Sequence, residues 1–310
     1  MAESPKKREP RWKREARLSA ERARGEALLA HLAIGSPGLD FAALVFKNQV
    51  YFTRFPKNAR PEFLESAITR LIQGIYDEHP EQARQLLRHR IFSTAEPTLL
   101  DQAMVKVAAR KLTSLLDSNG DSLPLDPAET DSEQAQLAGL FNACSFHEVS
   151  ARTASPPLLG YPNLPEGLTL PSQPVEAAPT LWNELLTQLT RAGAKNLARY
   201  QSDRPISALL LSSEGHLIAW AHNRSSENPT HHAEFSLLLD WARTHSSPIP
   251  PGSVLLCSLK PCKMCAAAIV QAASGQNLKV YYFLDDPGPL AKNTALDGNL
   301  NFYTQKVCRP

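Results

Sequence analysis

Long apolar runs are absent from this sequence, and no stretch approaches the ~20 residues that a membrane-spanning helix needs. The first thirty residues also lack the apolar block of a secretory signal, so we expect the chain to stay in the reducing cytoplasm. Cysteine is scarce and odd in number, five, which argues against a disulfide framework and favours free or metal-bound thiols. Hydrophobic residues make up 43% and charged residues 21% of the 310 positions, which is typical of globular proteins.

The net charge of +2 conceals an uneven distribution along the chain. The first thirty residues carry nine basic and five acidic side chains but little apolar surface, which indicates a basic tail. Seven prolines fall between residues 151 and 179, where they disfavour helix and indicate an extended linker. We therefore predict a basic tail over residues 1–30, an N-terminal α+β domain over 31–150, a Pro-rich linker over 151–178 and a second domain over 179–310.

The predicted N-terminal domain is the smaller of the two and carries no recognisable catalytic signature. Two β-prone runs over residues 41–55 flank Lys47-Asn48-Gln49 and predict a hairpin. Apolar residues at spacings of three and four predict one helix opened by Pro61 and another running from Pro97 to Leu116. We find no internal repeat in the sequence.

The predicted C-terminal domain alternates apolar strands with helical patterns. A helix from about Leu181 to Tyr200 precedes two strands joined at Glu214-Gly215, and a second helix runs from about His231 to His245. The strand SVLLCSL, a helix from Pro261 to Ala273 and the strands KVYYFL and NFYTQKV follow. Alternation of this kind predicts an α/β layered sheet.

Two short motifs in this domain carry the chemistry. His232-Ala233-Glu234 and Pro261-Cys262-Lys263-Met264-Cys265 together fit the H-x-E…P-C-x-x-C signature of zinc deaminases. Each motif alone is weak evidence, but the 28 positions from Glu234 to Cys262 hold a helix, a Pro-Gly turn and a strand. Both motifs therefore fall at helix starts, and we expect the two helix N-termini to converge on one point.

A catalytic zinc takes three protein ligands and leaves its fourth position open, so we predict one zinc per chain bound by His232, Cys262 and Cys265. Glu234 lies two residues beyond His232 and is better placed for proton transfer than for ligation. A closed structural zinc site would need a fourth ligand, for which the sequence offers Cys257, His231 and His222. The Cys-x-x-Cys pair is also open to a redox interpretation.

The stretches LIAWAHNRSSENPTHHAE and SLKPCKMCAAAIV resemble the cytidine deaminase-like zinc deaminases, and among them the tRNA adenosine deaminases. The resemblance covers roughly residues 180–305. It implies a three-layer α/β/α fold with a mixed five-stranded sheet, and a homodimer or heterodimer. It also assigns substrate binding to Asn223, at the end of a strand, and to Ala233.

Several features of the sequence bear on the substrate. Lys260 stands where the tRNA enzymes usually have Glu, and the loop from Asn223 to His232 is short. The histidine ligand argues against the free-cytidine enzymes, and the absence of Ser-Trp-Ser before Pro261 argues against the DNA-editing cytidine branch. The noncatalytic partner subunit of eukaryotic tRNA deaminases typically lacks the glutamate that Glu234 provides here.

We therefore expect zinc-dependent hydrolytic deamination of a nucleobase, with adenosine in a tRNA-like RNA converted to inosine. The basic tail and the N-terminal domain would grip the RNA, and the base would be flipped from its stack. Three alternatives remain open: a deaminase of a free base or nucleotide, a toxin-like deaminase of cytosine in nucleic acid, and a noncatalytic zinc- or RNA-binding partner subunit.

Overall fold

The computed structural model describes residues 24–25, 27–33, 36–57, 64–109, 111–114, 144–149, 160–195, 203–245, 247–299 and 302–307. Most of the predicted basic tail therefore lies outside the described residues. None of the helices in the described part of the chain is both long enough and apolar enough to cross a bilayer.

The N-terminal unit, which we define as residues 27–149 where described, is built on a five-stranded mixed sheet. Its strands are β1 (Leu39–Phe46), β2 (Gln49–Pro56), β3 (Arg90–Ser93), β4 (Lys111–Ser114) and β5 (Ser145–Glu148). Its helices are α1 (residues 27–33), α2 (Ala67–Glu78), α3 (Ala83–Leu86) and α4 (Leu99–Ala108). The strand order is β4-β3-β1-β2-β5, in which β1 is antiparallel to β2 and β3, while the two edge strands β4 and β5 are parallel to their neighbours.

Local sequence explains the position of the hairpin turn and of the N-termini of α2 and α4. The predicted hairpin is present, and its two-residue turn places Lys47 in the left-handed region with φ of 56°. Ser66 caps α2 by accepting a hydrogen bond from the backbone N–H of Thr69, a typical role for serine. Thr98 and Asp101 cap α4 reciprocally in a capping box.

The C-terminal unit, residues 160–307 where described, is built on a second five-stranded mixed sheet. Its strands are β6 (Ser207–Leu211), β7 (Leu217–His222), β8 (Val254–Leu259), β9 (Leu278–Leu284) and β10 (Phe302–Lys306). Its helices are α5 (Pro179–Lys195), α6 (Ala233–Thr244) and α7 (Lys263–Ala273). The order is β10-β9-β8-β6-β7; β6 is antiparallel to β7 and β8, and the remaining pairs are parallel.

Alternating residues of the central strands bury side chains on both faces of each sheet. In β1, Phe41 and Ala43 join the apolar cluster that includes α1, while Ala42 and Leu44 face the cluster that includes α2 and α4. In β6, Leu209 and Leu211 likewise face α5, and Ala208 and Leu210 face the side of α6 and α7. Each sheet is thus covered by helices on both faces. The face covered by one helix, α1 or α5, we call the outer face, and the face covered by two long helices, α2 and α4 or α6 and α7, we call the inner face.

The α/β character predicted for the C-terminal half is confirmed, but three details differ from the predictions. The helix expected from Pro97 to Leu116 ends at Ala108, and Leu112 belongs to β4, because residues 111–114 pair in parallel with β3. The smaller α+β domain expected over residues 31–150 is instead organised on a mixed sheet with two parallel pairs.

The third difference concerns the segments predicted to be a basic tail and an extended linker. Leu28 and Leu29, expected in the tail, are fully buried against the N-terminal sheet. In the expected linker, the backbone of Tyr161 exchanges two hydrogen bonds with Trp220 of β7, and their rings stack with centroids 4.4 Å apart. Apolar burial therefore attaches Leu28 and Leu29 to the N-terminal unit, and the second half of the proline-rich segment is attached to the C-terminal unit.

Candidate metal centre and active site

The three predicted metal ligands lie at the starts of two neighbouring helices. His232 is the N-cap residue of α6, Cys262 is the N-cap residue of α7, and Cys265 lies three positions further on. Each helix follows a strand of the same sheet, β7 or β8, and both pack on the inner face of that sheet. The predicted convergence of the two helix N-termini is therefore present, although both helices begin about two residues later than the sequence suggested.

The distances among these side chains match a tetrahedral zinc site. Nδ1 of His232 lies 3.4 Å from Sγ of Cys262 and 3.5 Å from Sγ of Cys265. Zinc bonds of ~2.3 Å to sulfur and ~2.0–2.1 Å to nitrogen place such donors about 3.6 Å apart at a tetrahedral angle. All three donor atoms lie within 4.8 Å of one another, so one ion could contact them together.

The thiols are held in opposite electrostatic situations. The pKa of Cys262 is lowered to about 4, chiefly by a hydrogen bond from Cys265 and then by His232. Burial raises the pKa of Cys265, and the neighbouring negative groups Cys262 and Glu234 raise it further. Without a metal, Cys262 is therefore favoured as a thiolate and Cys265 as a neutral thiol. A divalent cation would favour the thiolate form of both cysteines.

Glu234 is buried beside the metal centre but does not belong to the group of three donors. Its Oε2 accepts a hydrogen bond from Sγ of Cys265 at 3.5 Å, and the side chain is only 4% exposed. Burial raises its pKa, with a further increase from Cys262. A carboxyl group whose pKa is displaced toward neutrality can both accept and return a proton.

A fourth protein ligand is not found among the described residues, where these three side chains form the sole candidate metal cluster. Cys257 is fully buried within β8, and burial raises the pKa of its thiol. His222 Nδ1 lies 3.1 Å from the backbone oxygen of Asn223, and Nε2 of His231 lies 3.2 Å from Oε1 of Gln73. The described part of the chain therefore offers three donors, as a catalytic site does, and not four.

The two expected substrate-binding residues lie just after β7 and at the start of α6. Asn223 directly follows β7; its Oδ1 accepts from Ser225 Oγ at 2.6 Å, and its Nδ2 donates to the backbone oxygen of Arg204 at 3.3 Å. Ala233 is the first residue of α6 and is fully buried. These hydrogen bonds fix the Asn223 side chain at the end of the strand.

Sequence reasoning missed the polar residues that shape the loop before His232. Asn228 Oδ1 accepts from both the backbone N–H and the hydroxyl of Thr230, at 3.0 and 2.8 Å. Gln73, from α2 of the N-terminal unit, donates to Thr230 and accepts from Asn228. The Asn-Pro pair at 228 and 229 is a turn signal that could have identified the loop, but no local signal identifies Gln73.

Lys260, the departure noted before Pro261, has a structural role. Its Nζ pairs with Oδ1 of Asp297 at 3.1 Å, and its backbone N–H donates to Leu284. Asp297 in turn accepts from the backbone N–H and the hydroxyl of Thr294. The loop after β9 is thereby held against the segment that leads into α7.

Comparison with known proteins finds deaminases. Residues 197–301 match the model of the Bd3614-like deaminase family. A tRNA-specific adenosine deaminase of Agrobacterium fabrum is 34% identical over 106 residues, which is 34% of this chain and 64% of that protein; the chain thus spans less than two thirds of this relative. A tRNA-specific adenosine deaminase of Rickettsia bellii is 29% identical over 128 residues, 40% of this chain and 79% of that protein.

Among solved structures, one from a study of A-to-I editing by tRNA:A34 deaminases is 28% identical, with a TM-score of 0.31; the match covers 39% of this chain and 95% of that one. A guanine deaminase of Nitrosomonas europaea is 18% identical, with a TM-score of 0.33 and coverage of 46% and 90%. The match to the deaminase family and to tRNA-specific adenosine deaminases confirms the resemblance seen in the two sequence motifs.

Proposed function

We propose that the chain is a zinc-dependent hydrolytic deaminase of a nucleobase in RNA, since residues 197–301 match the model of the Bd3614-like deaminase family. The observation that carries the proposal is the cluster of His232, Cys262 and Cys265 with the carboxyl group of Glu234 beside it. We further propose that the layered C-terminal unit has the cytidine deaminase-like fold and that residues 179–310 form its functional domain.

His232, Cys262 and Cys265 would hold one zinc ion. When bound at such a site, zinc lowers the pKa of water toward ~7 and so supplies a nucleophile at neutral pH. The open side of the donor set is where the base would enter. The partial positive charge at the starts of α6 and α7 stabilises the two thiolates.

Glu234 performs the proton transfers in this proposal. Its carboxylate accepts one proton of the attacking water and passes it to the ring nitrogen, and it then passes the second proton, from the hydroxyl group added to the ring carbon, to the leaving amine. Water and the amino-substituted base are thereby converted to the oxo base and ammonia, with no redox change. General acid–base catalysis of this kind contributes ~10²–10⁴-fold to the rate.

Adenosine in a tRNA-like RNA, converted to inosine, is the substrate that we propose. The tRNA-specific adenosine deaminases matched by this chain support this choice, as does the excess of basic residues before the first described helix. Asn223 and Ala233 would contact the base and ribose. A cytoplasmic location fits a protein that acts on tRNA.

Ammonia release from a panel of substrates tests the proposal. The panel contains free nucleosides, nucleotides, bulk tRNA and single-stranded DNA, each assayed with the intact chain and with Glu234→Ala. We expect release from tRNA, with inosine in the digested RNA, and none from the variant. Release from free nucleotides alone would replace the RNA substrate by a small one, and release from cytosine-containing DNA would favour the toxin-like alternative. No release from any substrate would overturn the proposal.

A further inference from the structure

The N-terminal unit repeats the core of the deaminase unit strand for strand. In each unit a hairpin is followed by a long helix, a strand antiparallel to the first hairpin strand, a second long helix and a strand parallel to the preceding one; the four-residue α3 is an addition in the N-terminal unit. The resulting orders, β4-β3-β1-β2 and β9-β8-β6-β7, are the same. A helix on the outer face precedes the hairpin in both units, α1 in one and α5 in the other.

The correspondence extends to the helix starts that form the metal centre. Ser66 is the N-cap residue of α2 as His232 is of α6, and each is followed by alanine. The second helices match in the same way, with the segment Pro97-Thr98-x-x-Asp101 standing where the deaminase unit has Pro261-Cys262-x-x-Cys265. Independent units with different functions have no reason to share these positions.

Hydrogen bonds replace metal ligation in the N-terminal unit. Asp101 accepts from the hydroxyls of Ser66, Thr69 and Thr98, so one carboxylate joins the starts of α2 and α4. Thiol and imidazole donors are missing at these positions, and Ile68 stands at the position of Glu234. The N-terminal unit therefore keeps the framework of the site without its metal ligands or its proton-transfer group.

The two units pack through their inner helices. Buried side chains of α2 and α4 and of α6 and α7 belong to one continuous apolar cluster, and α4 lies against α7. At the edge of this interface, Arg243 of α6 lies 3.7 Å from Glu65, just before α2. The N-terminal unit thus covers the helix face of the deaminase unit that would otherwise expose apolar surface to water.

One polar side chain crosses this interface to the active-site loop. Gln73, only 2% exposed, donates through Nε2 to Thr230 Oγ1 at 2.6 Å and accepts through Oε1 from Asn228 Nδ2 at 2.9 Å. The same Oε1 lies 3.2 Å from Nε2 of His231. Gln73 therefore contacts three of the four residues immediately before His232.

We propose that the N-terminal unit is a metal-free copy of the deaminase fold that serves as an internal partner subunit, and that Gln73 is its positioning residue for the His232 loop. The positioning role rests on the proposed zinc site. Gln73 holds Asn228 and Thr230 in place through its hydrogen bonds. Because these residues directly precede His232, a shift of either would move His232 relative to the two cysteines. Substitution of such outer residues typically weakens metal affinity ~10–100-fold.

Gln73→Met in the full chain tests the positioning role, because methionine keeps the length of the side chain and removes all its hydrogen bonds. Thr69→Val is the matched control: Thr69 is equally buried on α2, one turn earlier, and bonds only within the N-terminal unit. Zinc affinity by chelator competition, the visible spectrum of the cobalt(II) form and the melting temperature of the metal-free protein are measured for both. We expect Gln73→Met to lose ~10-fold or more in zinc affinity and to change the cobalt spectrum, and Thr69→Val to change neither.

Equal zinc affinities for the two variants would overturn the positioning role, as would a chain that binds no zinc. A similar fall in melting temperature for both, with zinc affinity changed in Gln73→Met alone, separates positioning from general stabilisation. None of these readouts needs a substrate. A chain that shows the Gln73 effect yet deaminates nothing would leave this inference standing while the proposed function fails.

Cleavage between the units tests the internal partnership. A protease recognition sequence is placed within residues 150–159 of the full chain, and the cut protein is analysed by size-exclusion chromatography with light scattering. We expect the two fragments to elute together as a 1:1 complex with its zinc affinity unchanged. Separation of the fragments without denaturant would overturn the proposal that the N-terminal unit is a partner subunit.

Discussion

The starts of two helix pairs in this molecule share a framework and differ in chemistry. In the C-terminal unit, His232, Cys262 and Cys265 bring one nitrogen and two sulfur atoms within 4.8 Å of one another. In the N-terminal unit, Asp101 joins the two helices through hydroxyl donors that satisfy it fully. The same convergence of helix N-termini therefore carries a candidate metal site in one place and a hydrogen-bonded link in the other.

The fold brings the helix N-termini together in both units, and the side chains at those positions determine whether a cation or a hydrogen-bonded carboxylate can be held there. Two helix N-termini concentrate partial positive charge, and either thiolates or a carboxylate can respond to it. Soft donors leave a position for a cation and a reacting water, whereas a hydrogen-bonded carboxylate closes the site. Substitutions at equivalent positions of the two units test this difference.

The largest effect is expected from the metal ligands. Cys262→Ser or Cys265→Ser should abolish zinc binding, because a neutral hydroxyl is a poor replacement for thiolate at a borderline-soft ion. The equivalent change in the other unit, Asp101→Asn, should leave one zinc per chain. Metal analysis of the purified proteins decides the matter, and full zinc occupancy in both serine variants would contradict the assigned ligands.

Loss of the proton-transfer group should have the next largest effect. Glu234→Ala should retain its zinc and its fold but lose ~10²–10⁴-fold in kcat, since Glu234 is assigned to proton transfer and not to ligation. Single-turnover rates on the responding substrate, with zinc content measured in parallel, test this. A variant that keeps more than about a tenth of the wild-type kcat would refute the role.

The hydrogen-bonded cluster of the N-terminal unit should matter for stability alone. Asp101→Ala removes the acceptor of three hydroxyls and the capping box of α4, so we expect a loss on the order of 2–4 kcal/mol in the free energy of unfolding. Urea unfolding of the metal-free protein measures it. Lys260→Met, which removes only the partly exposed ion pair with Asp297, serves as the control and should cost less than about 1 kcal/mol.

The smallest effect concerns the basic tail. Residues 1–20 hold seven basic and three acidic side chains and end before the buried Leu28 and Leu29, so their deletion should spare the core. If they contact RNA phosphates, the deletion weakens binding uniformly across sequences and reduces the salt slope by about 0.7 per phosphate lost. RNA affinity at several salt concentrations tests this, and an identical slope would exclude a phosphate-binding tail.

Much of the C-terminal unit was predictable because its signals are local. The alternation of apolar strands and amphipathic helices, the turn at Gly215 and the helix starts at the two motifs follow from short-range patterns. The predicted course of α4 failed because the pairing of residues 111–114 with β3 overrode a helical periodicity. The burial of Leu28 and Leu29 and the hydrogen bonds of Tyr161 with Trp220 could not be predicted, because they depend on surfaces distant in sequence.

The sequence alone predicts His232, Cys262 and Cys265 as metal donors and Glu234 as the proton-transfer group, because the chemistry of a zinc site requires particular side chains at fixed local spacing. The contacts that support these side chains could be seen only in the folded chain. Gln73 contacts the His232 loop across more than 150 positions of sequence. Asp101 joins its own helix to Ser66, the N-cap residue of α2, which lies 35 positions earlier. The repetition of one fold in both units is likewise carried by backbone hydrogen bonding and packing, which very different side chains satisfy equally well.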